Sequence, residues 1–515
     1  MGVVDLFQRG LSLYPTRTCL VDGDASRTYA EVDLRIRTIA AALRSAGLPV
    51  DARVGLYSLN CMSAYEALIS VHAAGLVYVP GNPRSHIDET SYFFELCGVS
   101  AVFYHSKYEQ DVAELRRRLP ELKLAICLDR VGGEGPWLEE WIAGIEPLKE
   151  AHRAGRNDLT AIYPTGGTTG RSKGVTFPGI VWDTMTANFF AMVPATKPIN
   201  YLLVAPMTHA AGTWSLSLLA EGATVVIHDH FDAGKVLEAF EQHRITHTFL
   251  PPTAVYMLLA HPDIRRYDYS SLECFLYAAA PMSVEKLKQC LEIFGPVMVQ
   301  CYGQTEAPMF ATILTAADHA HALEHAPHRL ASCGRRCLLT DLAIMDDSGN
   351  LLPPGERGEI VLRGDLVTPA YYRNDAATAE AQAFGWHHTG DIGVKDEDGF
   401  VYIVDRKKDM IITGGFNVFP TEIEQVVWAH PAVQDCAVVG APDDKWGEAV
   451  TAVIEVKPGA RLEPEELMAW CKERLGSIKT PKQVFIWDEL PRTPVGKVSR
   501  KDVRAHFWQG RDRQI

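Results

Sequence analysis

The chain has 515 residues, more than a single hydrophobic core usually serves, so two or more domains are expected. Its 47% hydrophobic and 22% charged residues are typical of a globular protein, and a formal net charge of -14 argues against nonspecific nucleic-acid binding, which relies on excess Lys and Arg. No apolar run approaches the ~20 residues that span a bilayer, and the N-terminus lacks the basic and apolar regions of a signal peptide, so a cytoplasmic protein is expected.

Alternating strand-like and helix-like stretches predict parallel sheets in the first two thirds of the chain. Residues 53–59 and 76–80 are strand-like and enclose a helix-like stretch at 64–74, which makes a β-α-β unit. The same alternation follows at 101–104, 108–118 and 122–128. It recurs where helical patterns separate strand-like runs at 202–205, 224–227, 247–250, 274–278 and 297–301. Repeated crossovers of this kind predict parallel sheets with helices on both faces.

A glycine-rich loop at residues 165–174 reads Thr-Gly-Gly-Thr-Thr-Gly-Arg-Ser-Lys-Gly and follows a short apolar run at 159–163. Its glycines permit tight turns on which amide N–H groups converge, while Thr168 and Thr169 add hydroxyls and Lys173 adds a positive charge. The pattern predicts a polyphosphate site but not a Walker A loop, because Lys173 is followed by Gly174 rather than by Ser or Thr. A flexible loop is the alternative for this composition taken alone.

Two later motifs, at 302–306 and 388–391, contain polar residues that could bind a nucleotide. Tyr302-Gly303-Gln304-Thr305-Glu306 comes directly after the strand-like run 297–301, and ligands of open α/β sheets bind beyond the carboxyl ends of strands. Tyr302 could stack on a base, Thr305 could donate to a phosphate and Glu306 could hold a divalent ion. His388-Thr-Gly-Asp391 places a carboxylate after a turn, where it could accept from two sugar hydroxyls. Each motif alone is also compatible with a structural role.

Cysteine and histidine spacing does not predict a metal site. The 11 cysteines form no Cys-X-X-Cys pair and favour reduced thiols over a disulfide framework. Cys333 and Cys337 follow several histidines, but no pair has the spacing of a structural zinc site. The stretch 318–328, which contains these histidines, is interpreted as a polar, Ala-rich excursion at the surface.

The pattern changes in the last third of the chain. Shorter strand-like pieces and Gly-containing turns between 342 and 404 predict an antiparallel region, and the charge cluster at 405–409 predicts a linker or hinge that a core would exclude. Strand-like runs at 436–439, 450–456 and 484–487, with a helix at 464–475, predict a small α+β domain. The expected fold is α/β, with a large N-terminal domain of doubly wound sheets at 1–405 and a small, mobile C-terminal domain at 406–515.

Five motifs occur in a fixed order along nearly the whole chain. They are the glycine-rich loop, Tyr-Gly-Gln-Thr-Glu, His-Thr-Gly-Asp, the stretch 405–424 that begins Asp-Arg-Lys-Lys-Asp, and Pro-Arg-Thr-Pro-Val-Gly-Lys, which ends at Lys497. This order resembles the adenylate-forming superfamily, which contains acyl-CoA synthetases, adenylation domains of peptide synthetases and beetle luciferase. The resemblance implies that a carboxylate attacks the α-phosphate of ATP to give acyl-AMP and pyrophosphate. A thiol then attacks the acyl carbon and releases AMP.

The resemblance also implies residue roles. Thr168, Thr169 and Lys173 would grip the β- and γ-phosphates, Thr305 would contact the α-phosphate, and Thr168 and Glu306 would hold Mg2+. Asp391 and Arg406 would hold the ribose, and Lys497 would bridge the acyl carboxylate and the α-phosphate. The remaining nucleotide contacts are assigned to Thr165, Gly166, Gly167, Gly170, Ala279, Ala280, Pro281, Tyr302, Gly303 and Gln304. Lys408 would be the pivot of the small domain, and Gly414, Gly415 and Trp446 would line the path of CoA.

The chain departs from the family pattern at three places. Gly166 stands where the family usually has Ser, and Ser172 replaces the Pro before the lysine, so one hydroxyl donor is lost. Ala278 and Ala279 stand where a Gly-Gly pair often precedes the Ala-Pro of the adenine loop. Even methyl groups are expected to alter the fit there.

The same resemblance locates the acid. His209 occupies the position of a gating or carboxylate-facing residue, and the lining candidates are Trp214, Tyr277, Ala278, Met309 and Phe310. They are apolar or aromatic and include no Asp that could hold an α-amino group, which favours a hydrophobic fatty, aryl or alicyclic acid over an amino acid.

CoA is the preferred acceptor, and a free-standing acyl carrier protein is the alternative. A catalytically silent, nucleotide-binding regulatory protein is a third hypothesis, less favoured because Lys497 and Glu306 are both present. A homodimer is left open.

Overall fold

A computed structural model describes residues 2–49, 51–131, 133–165, 172–443, 445–493 and 496–509. Its α-helices are α1 Val3–Leu13, α2 Tyr29–Ser45, α3 Met62–Ala73, α4 Ile87–Cys97, α5 Glu109–Arg118, α6 Leu138–Trp141, α7 Gly179–Met192, α8 Ala210–Leu218, α9 Ala233–Gln242, α10 Pro252–Leu259, α11 Val284–Phe294, α12 Ala316–His325, α13 Asp375–Ala381, α14 Pro420–Trp428, α15 Pro464–Lys479 and α16 Arg500–Phe507. Within these parts of the chain, none of the helices combines the length and apolar character needed to cross a membrane.

The β-strands up to the middle of the chain are β1 Thr18–Asp22, β2 Ala25–Thr28, β3 Arg53–Tyr57, β4 Val77–Gly81, β5 Val99–Tyr104, β6 Leu124–Cys127, β7 Leu159–Thr165, β8 Lys173–Pro178, β9 Asn200–Leu203, β10 Thr224–Ile227, β11 His247–Leu250 and β12 Cys274–Tyr277. The later strands are β13 Met298–Gln304, β14 Ala307–Leu314, β15 Arg335–Arg336, β16 Asp341–Met345, β17 Arg357–Arg363, β18 His387–Lys395, β19 Val401–Arg406, β20 Ile411–Thr413, β21 Phe416–Val418, β22 Val433–Asp443, β23 Gly447–Val456 and β24 Gln483–Trp487.

Two large sheets form most of the chain before residue 340. The first has the strand order β6-β5-β3-β4-β7-β8 and is parallel except for β8, which pairs antiparallel with β7. The second has the order β15-β14-β13-β12-β11-β9-β10-β1-β2, and its strands from β13 to β1 are parallel. These pairings confirm the predicted crossovers.

One hydrophobic core joins the two large sheets. It contains residues of both sheets together with α1, α2, α3, α7 and α8. A second core packs α9, α10 and α11 on the other face of the nine-stranded sheet, and a third packs α4 and α5 on the outer face of the six-stranded sheet. Helices therefore cover both faces of each sheet, which confirms the doubly wound architecture.

The predicted antiparallel region and the small α+β unit are also present. Strands β16, β17, β18 and β19 form an antiparallel sheet in chain order. Beyond it, β21, β20, β23 and β22 form a further sheet to which β24 adds in parallel, and α14, α15 and the ladder of β22 with β23 share a core. The fold class expected from the sequence is confirmed.

Three local expectations were wrong or incomplete. Strand β13 continues through Gln304, because the antiparallel strand β14 supplies backbone partners beyond the apolar run. The stretch 318–328 is mostly exposed, as predicted, but it contains most of α12, and His319 is fully buried where its imidazole pairs with the Tyr277 hydroxyl, 2.9 Å away. Asp405, in the charge cluster, is also buried, because Arg500 and two backbone N–H groups bond its carboxylate.

Candidate active site

The ends of several strands bring the sequence-predicted residues together. Strand β7 ends at Thr165 and β8 begins at Lys173, and these two residues face each other across the antiparallel pair. Gly166, Gly167, Thr168, Thr169 and Gly170, predicted to bind phosphate, lie outside the described residues. The two strand ends fix Lys173 at one side of the site.

Tyr371 connects Lys173 to Glu306 and was not singled out in the sequence. The Lys173 ammonium lies 4.7 Å from the centroid of the Tyr371 ring. The Tyr371 hydroxyl donates a 2.7 Å hydrogen bond to Oε1 of Glu306, which is 9% exposed and follows the half-buried Thr305 in the turn between β13 and β14. One aromatic side chain therefore contacts both the predicted phosphate-binding lysine, over the face of its ring, and the predicted metal-binding carboxylate, at its hydroxyl.

The predicted ribose-binding residues form a hydrogen-bonded group around Asp391, which is 3% exposed. Its Oδ2 accepts from the Tyr302 hydroxyl at 2.7 Å and from Gln304 Nε2 at 2.9 Å. Its Oδ1 pairs with Arg406 Nε at 2.6 Å, since the two residues lie opposite each other on β18 and β19. Burial works to lower the pKa of Arg406, but the charge of Asp391 raises it overall. Tyr302 thus positions the carboxylate through its hydroxyl.

Lys497 lies in a tight turn that points into the same site. Its backbone N–H donates to Thr493 Oγ1 at 3.2 Å, and its carbonyl accepts from the Thr493 N–H at 2.7 Å. Burial and the charge of Arg406 lower the pKa of Lys497 to about 8, while Asp391 opposes this change. Lys497 is therefore close enough to the Asp391–Arg406 pair for both charges to affect its pKa.

His209, just before α8, completes this group. Burial lowers its pKa to about 4, and the charges of Arg84 and Lys497 contribute. Its Nε2 is buried and has no hydrogen-bond partner within the described part of the chain. The charge of Lys497 therefore reaches the His209 imidazole, which the lowered pKa keeps neutral near pH 7.

The adenine loop predicted at 278–281 contains a strained residue. Ala279 has φ +75°, a left-handed conformation that costs an L-residue ~1–2 kcal/mol. Ala279 and Pro281 are exposed, and Ala280 is half-buried. The backbone here has the conformation that glycine adopts without strain, which explains why the departure from Gly-Gly matters.

Gly303 makes a close approach that a side chain would prevent. A Cβ at this position would lie 2.7 Å from the backbone nitrogen of Met309, which itself has φ +61°. This contact brings the residues after Glu306 back against the Tyr-Gly-Gln segment.

Four of the five predicted acyl-pocket residues share one side of the nine-stranded sheet. They are Trp214, Ala278, Met309 and Phe310. Tyr277 belongs to the opposite face, because side chains alternate along β12 and its hydroxyl bonds with His319. Tyr277 therefore lies outside the candidate pocket.

Phe189 of α7, which sequence reasoning missed, packs beside the candidate pocket. Its ring centroid lies 5.1 Å from that of Phe310 and 5.2 Å from that of Trp214, and all three side chains are fully buried. Met309 and Ala278 retain a small exposed surface. The three rings form one aromatic group in the same core as Met309 and Ala278.

Two of the predicted CoA residues, Gly414 and Trp446, contact each other. The Gly414 N–H donates to the Trp446 carbonyl at 2.8 Å, and a Cβ at Gly414 would lie 2.7 Å from the Trp446 ring. Gly414 and Gly415 have positive φ, and Trp446 is 39% exposed. Burial and the charge of Arg406 lower the pKa of Lys408 to about 8.

Glu306 has the chemistry of a Mg2+ ligand. Within the described residues, no hydrogen bond uses its second carboxylate oxygen, Oε2. Mg2+ is commonly held by one or two carboxylates together with substrate phosphates. The residues present fit this ion.

Curated relatives match the chain over nearly its whole length. A medium/long-chain fatty-acid–CoA ligase from Mycobacterium tuberculosis is 35% identical over 98% of this chain and 90% of its own. A feruloyl-CoA synthase from an Amycolatopsis species is 36% identical over 97% of this chain and 98% of its own. A fatty acid–[acyl-carrier-protein] ligase from Streptomyces coeruleorubidus is 30% identical over 97% and 95%, respectively.

A solved structure supports the same relationship. The amide bond synthetase McbA from Marinactinospora thermotolerans superposes with a TM-score of 0.88 at 30% identity, covering 98% of this chain and all of the other. The AMP-binding enzyme family model matches residues 7–372, and the model of the AMP-binding enzyme C-terminal domain matches residues 422–497. The chain therefore belongs to the family of AMP-binding enzymes, which confirms the resemblance to the adenylate-forming superfamily carried by its five motifs.

Proposed function

We propose that the protein is an ATP-dependent carboxylic acid:CoA ligase that forms acyl-AMP and pyrophosphate, then acyl-CoA and AMP. The observation that carries this proposal is the position of Lys497, whose charge interacts with those of Arg406 and Asp391 and acts on His209. Taking a lysine charge out of water costs free energy unless nearby groups compensate it, so its burial beside these residues supports a role for the charge.

The first half-reaction brings two anions together, so cations and hydrogen-bond donors must be positioned before the reaction. In our proposal Lys497 binds the acid carboxylate and the α-phosphate, and Thr305 also contacts that phosphate. Asp391 accepts from the ribose hydroxyls while Arg406 holds the Asp391 side chain. Lys173 binds the outer phosphates. Mg2+, held by Glu306 and Thr168, would neutralise phosphate charge when bound.

The acid is proposed to be hydrophobic. Its carboxylate would lie near His209 and Lys497, and its body would contact Met309 and Ala278 before reaching the aromatic group of Trp214, Phe310 and Phe189. This lining contains no carboxylate that could bind an α-amino group, which supports a fatty, aryl or alicyclic acid over an amino acid.

The second half-reaction is proposed to use CoA. The C-terminal unit from residue 406 would turn about Lys408, so that Lys497 leaves the site and Gly414, Gly415 and Trp446 approach the thiol. The absence of side chains at the two glycines would leave room for a narrow chain. A free-standing acyl carrier protein is the alternative acceptor, and a cytoplasmic location and a homodimer remain predictions.

Product analysis tests the proposal directly. The protein is incubated with ATP, Mg2+ and a panel of fatty, aryl and alicyclic acids, with and without CoA, and the products are identified by mass spectrometry. Acyl-CoA from one class of acid is the expected result. Acyl-AMP that accumulates despite CoA would favour a carrier protein, and no pyrophosphate with any acid would favour a silent regulatory protein.

A further inference from the structure

Tyr371 lies between the two charged residues that the proposed function assigns to the phosphates and the metal ion. Its ring faces the Lys173 ammonium at 4.7 Å, and its hydroxyl donates to Glu306 Oε1 at 2.7 Å. A lysine over an aromatic face and a carboxylate on the hydroxyl of the same ring are two independent attractive contacts. One side chain therefore fixes both charges.

The backbone around Tyr371 is attached to the strand that carries Lys173. Tyr371 forms an antiparallel bridge with Val175, and the Tyr372 N–H donates to the Gly174 carbonyl at 2.7 Å. On the other side, the Thr368 N–H donates to the Glu306 carbonyl at 2.8 Å. The segment 368–372 thus contacts the backbones of both Lys173's strand and Glu306, so the backbone that carries Tyr371 is attached to both.

The ring also separates two opposite charges that would otherwise attract each other. Within the described residues, neither Lys173 nor Glu306 forms a salt bridge. A direct ion pair would neutralise the lysine needed by a phosphate and occupy the carboxylate needed by a metal ion. The hydroxyl of Tyr371 engages Oε1 alone, which leaves Oε2 for a cation.

We propose that Tyr371 is a positioning residue that holds Lys173 and Glu306 apart and oriented for a metal-bound polyphosphate. This inference rests on the proposed function, because it assumes that the polyphosphate is that of ATP. It assigns to Tyr371 no contact with the reacting atoms. Its effect is to keep a cation and a carboxylate available at a fixed separation.

Two substitutions distinguish the contact of Tyr371 with Lys173 from its hydrogen bond to Glu306. Tyr371→Phe keeps the ring over Lys173 and removes the bond to Glu306, whereas Tyr371→Leu removes both. Tyr372→Phe is the matched control, since it removes a neighbouring hydroxyl that bonds Arg53 outside the site. Binding of ATP is measured by calorimetry at a series of Mg2+ concentrations, and thermal melting of each variant reports on folding.

We expect Tyr371→Phe to require about tenfold more Mg2+ for half-maximal ATP binding, as for loss of a hydrogen bond to a charged group. Its ATP affinity at saturating Mg2+ is expected to stay near that of the unaltered protein. Tyr371→Leu is expected to weaken ATP binding even at saturating Mg2+, because Lys173 can then pair with Glu306. Tyr372→Phe is expected to behave as the unaltered protein.

An unchanged Mg2+ requirement in Tyr371→Phe would overturn this inference, whether or not Tyr371→Leu folds. Loss of ATP binding in Tyr371→Phe together with a lowered melting temperature would also overturn it, since the role would then be structural. If the unaltered protein fails to bind ATP with Mg2+, the proposed function fails and this inference fails with it. If all variants bound ATP with the normal Mg2+ requirement, the inference about Tyr371 would fail while the proposed function would stand.

Discussion

The guanidinium of Arg500 lies 2.7 Å from Oδ1 of Asp405, across the charged turn at 407–409. Arg500 follows Lys497 by three positions, and it also bonds Glu424 and Thr421. The same side chain thus ties the end of β19 to the helix that begins just after Lys497, the proposed catalytic lysine. Arg500 therefore links the segment that follows Lys497 to β19 and to α14.

Arg500→Ala is expected to destabilise the fold by about 3 kcal/mol, because it leaves the buried carboxylates of Asp405 and Glu424 without their cation. Acyl-AMP formation is expected to fall more than acyl transfer from preformed acyl-AMP. Thermal melting and the two half-reaction rates measure these effects. Lys501→Ala, an exposed neighbour on the same helix, is the control, and an equally destabilised control would contradict the prediction.

Lys497→Ala is expected to lower acyl-AMP formation at least about 100-fold, as for loss of one transition-state cation. Conversion of preformed acyl-AMP and CoA to acyl-CoA is expected to change little, because the proposed function assigns Lys497 to the first half-reaction alone. Pyrophosphate release and acyl-CoA formation from synthetic acyl-AMP are followed separately. Equal loss in both half-reactions would refute this division of roles.

The rate of acyl-AMP formation is expected to fall as the pH rises above about 8, because burial and Arg406 lower the pKa of Lys497 to about 8 and its ammonium is required. Unfolding does not explain this loss. A lysine whose pKa is lowered by folding holds fewer protons in the folded state, so its contribution to stability rises with pH above that value.

Lys497→Arg provides the test, since a guanidinium stays protonated over this range. Its residual rate of acyl-AMP formation is expected to lose the alkaline decline. Lys408 also has a pKa lowered to about 8, so Lys408→Arg is the matched control and is expected to keep the decline in the first half-reaction. If only Lys408→Arg lost the alkaline decline in acyl-AMP formation, the group that titrates would be Lys408 and not Lys497.

Local sequence patterns predicted the parallel strands well and the polar contacts poorly. Strand β10 was predicted with its observed bounds because a buried parallel strand is a continuous apolar run. His319 gave no such signal, since its buried imidazole bonds with the Tyr277 hydroxyl, which is 42 positions away in the sequence. Tyr371 was missed for the same reason, because the two residues it connects are far away in the sequence.

The site residues were found through ordered motifs, not through local structure. Lys497 and Asp391 approach each other only after the last unit of the chain folds against the antiparallel sheet, which no local pattern encodes. The sequence of the motif at 278–281 lacks the usual Gly-Gly pair. In the structure one of its residues, Ala279, has the left-handed conformation that glycine adopts without strain.

Ala279→Gly is expected to stabilise the protein by roughly 0.5–1 kcal/mol. Relief of the left-handed conformation gains ~1–2 kcal/mol, and the greater freedom of glycine in the unfolded chain costs ~0.4–1 kcal/mol. Ala280→Gly, at a residue without positive φ, is the control and is expected to destabilise. Chemical denaturation compares the two variants, and destabilisation by Ala279→Gly would contradict the prediction.

Phe189→Leu is expected to shift substrate preference toward longer or bulkier acids, because it shortens one wall of the aromatic group formed with Trp214 and Phe310. The gain is measured as kcat/KM over a series of linear acids, with an expected change of about tenfold per added methylene that the new space accepts. Phe294→Leu is the control, since Phe294 is buried in the core on the opposite face of the same sheet and its loss tests stability alone. An unchanged order of preference in Phe189→Leu, or the same shift in Phe294→Leu, would show that Phe189 does not bound the acid.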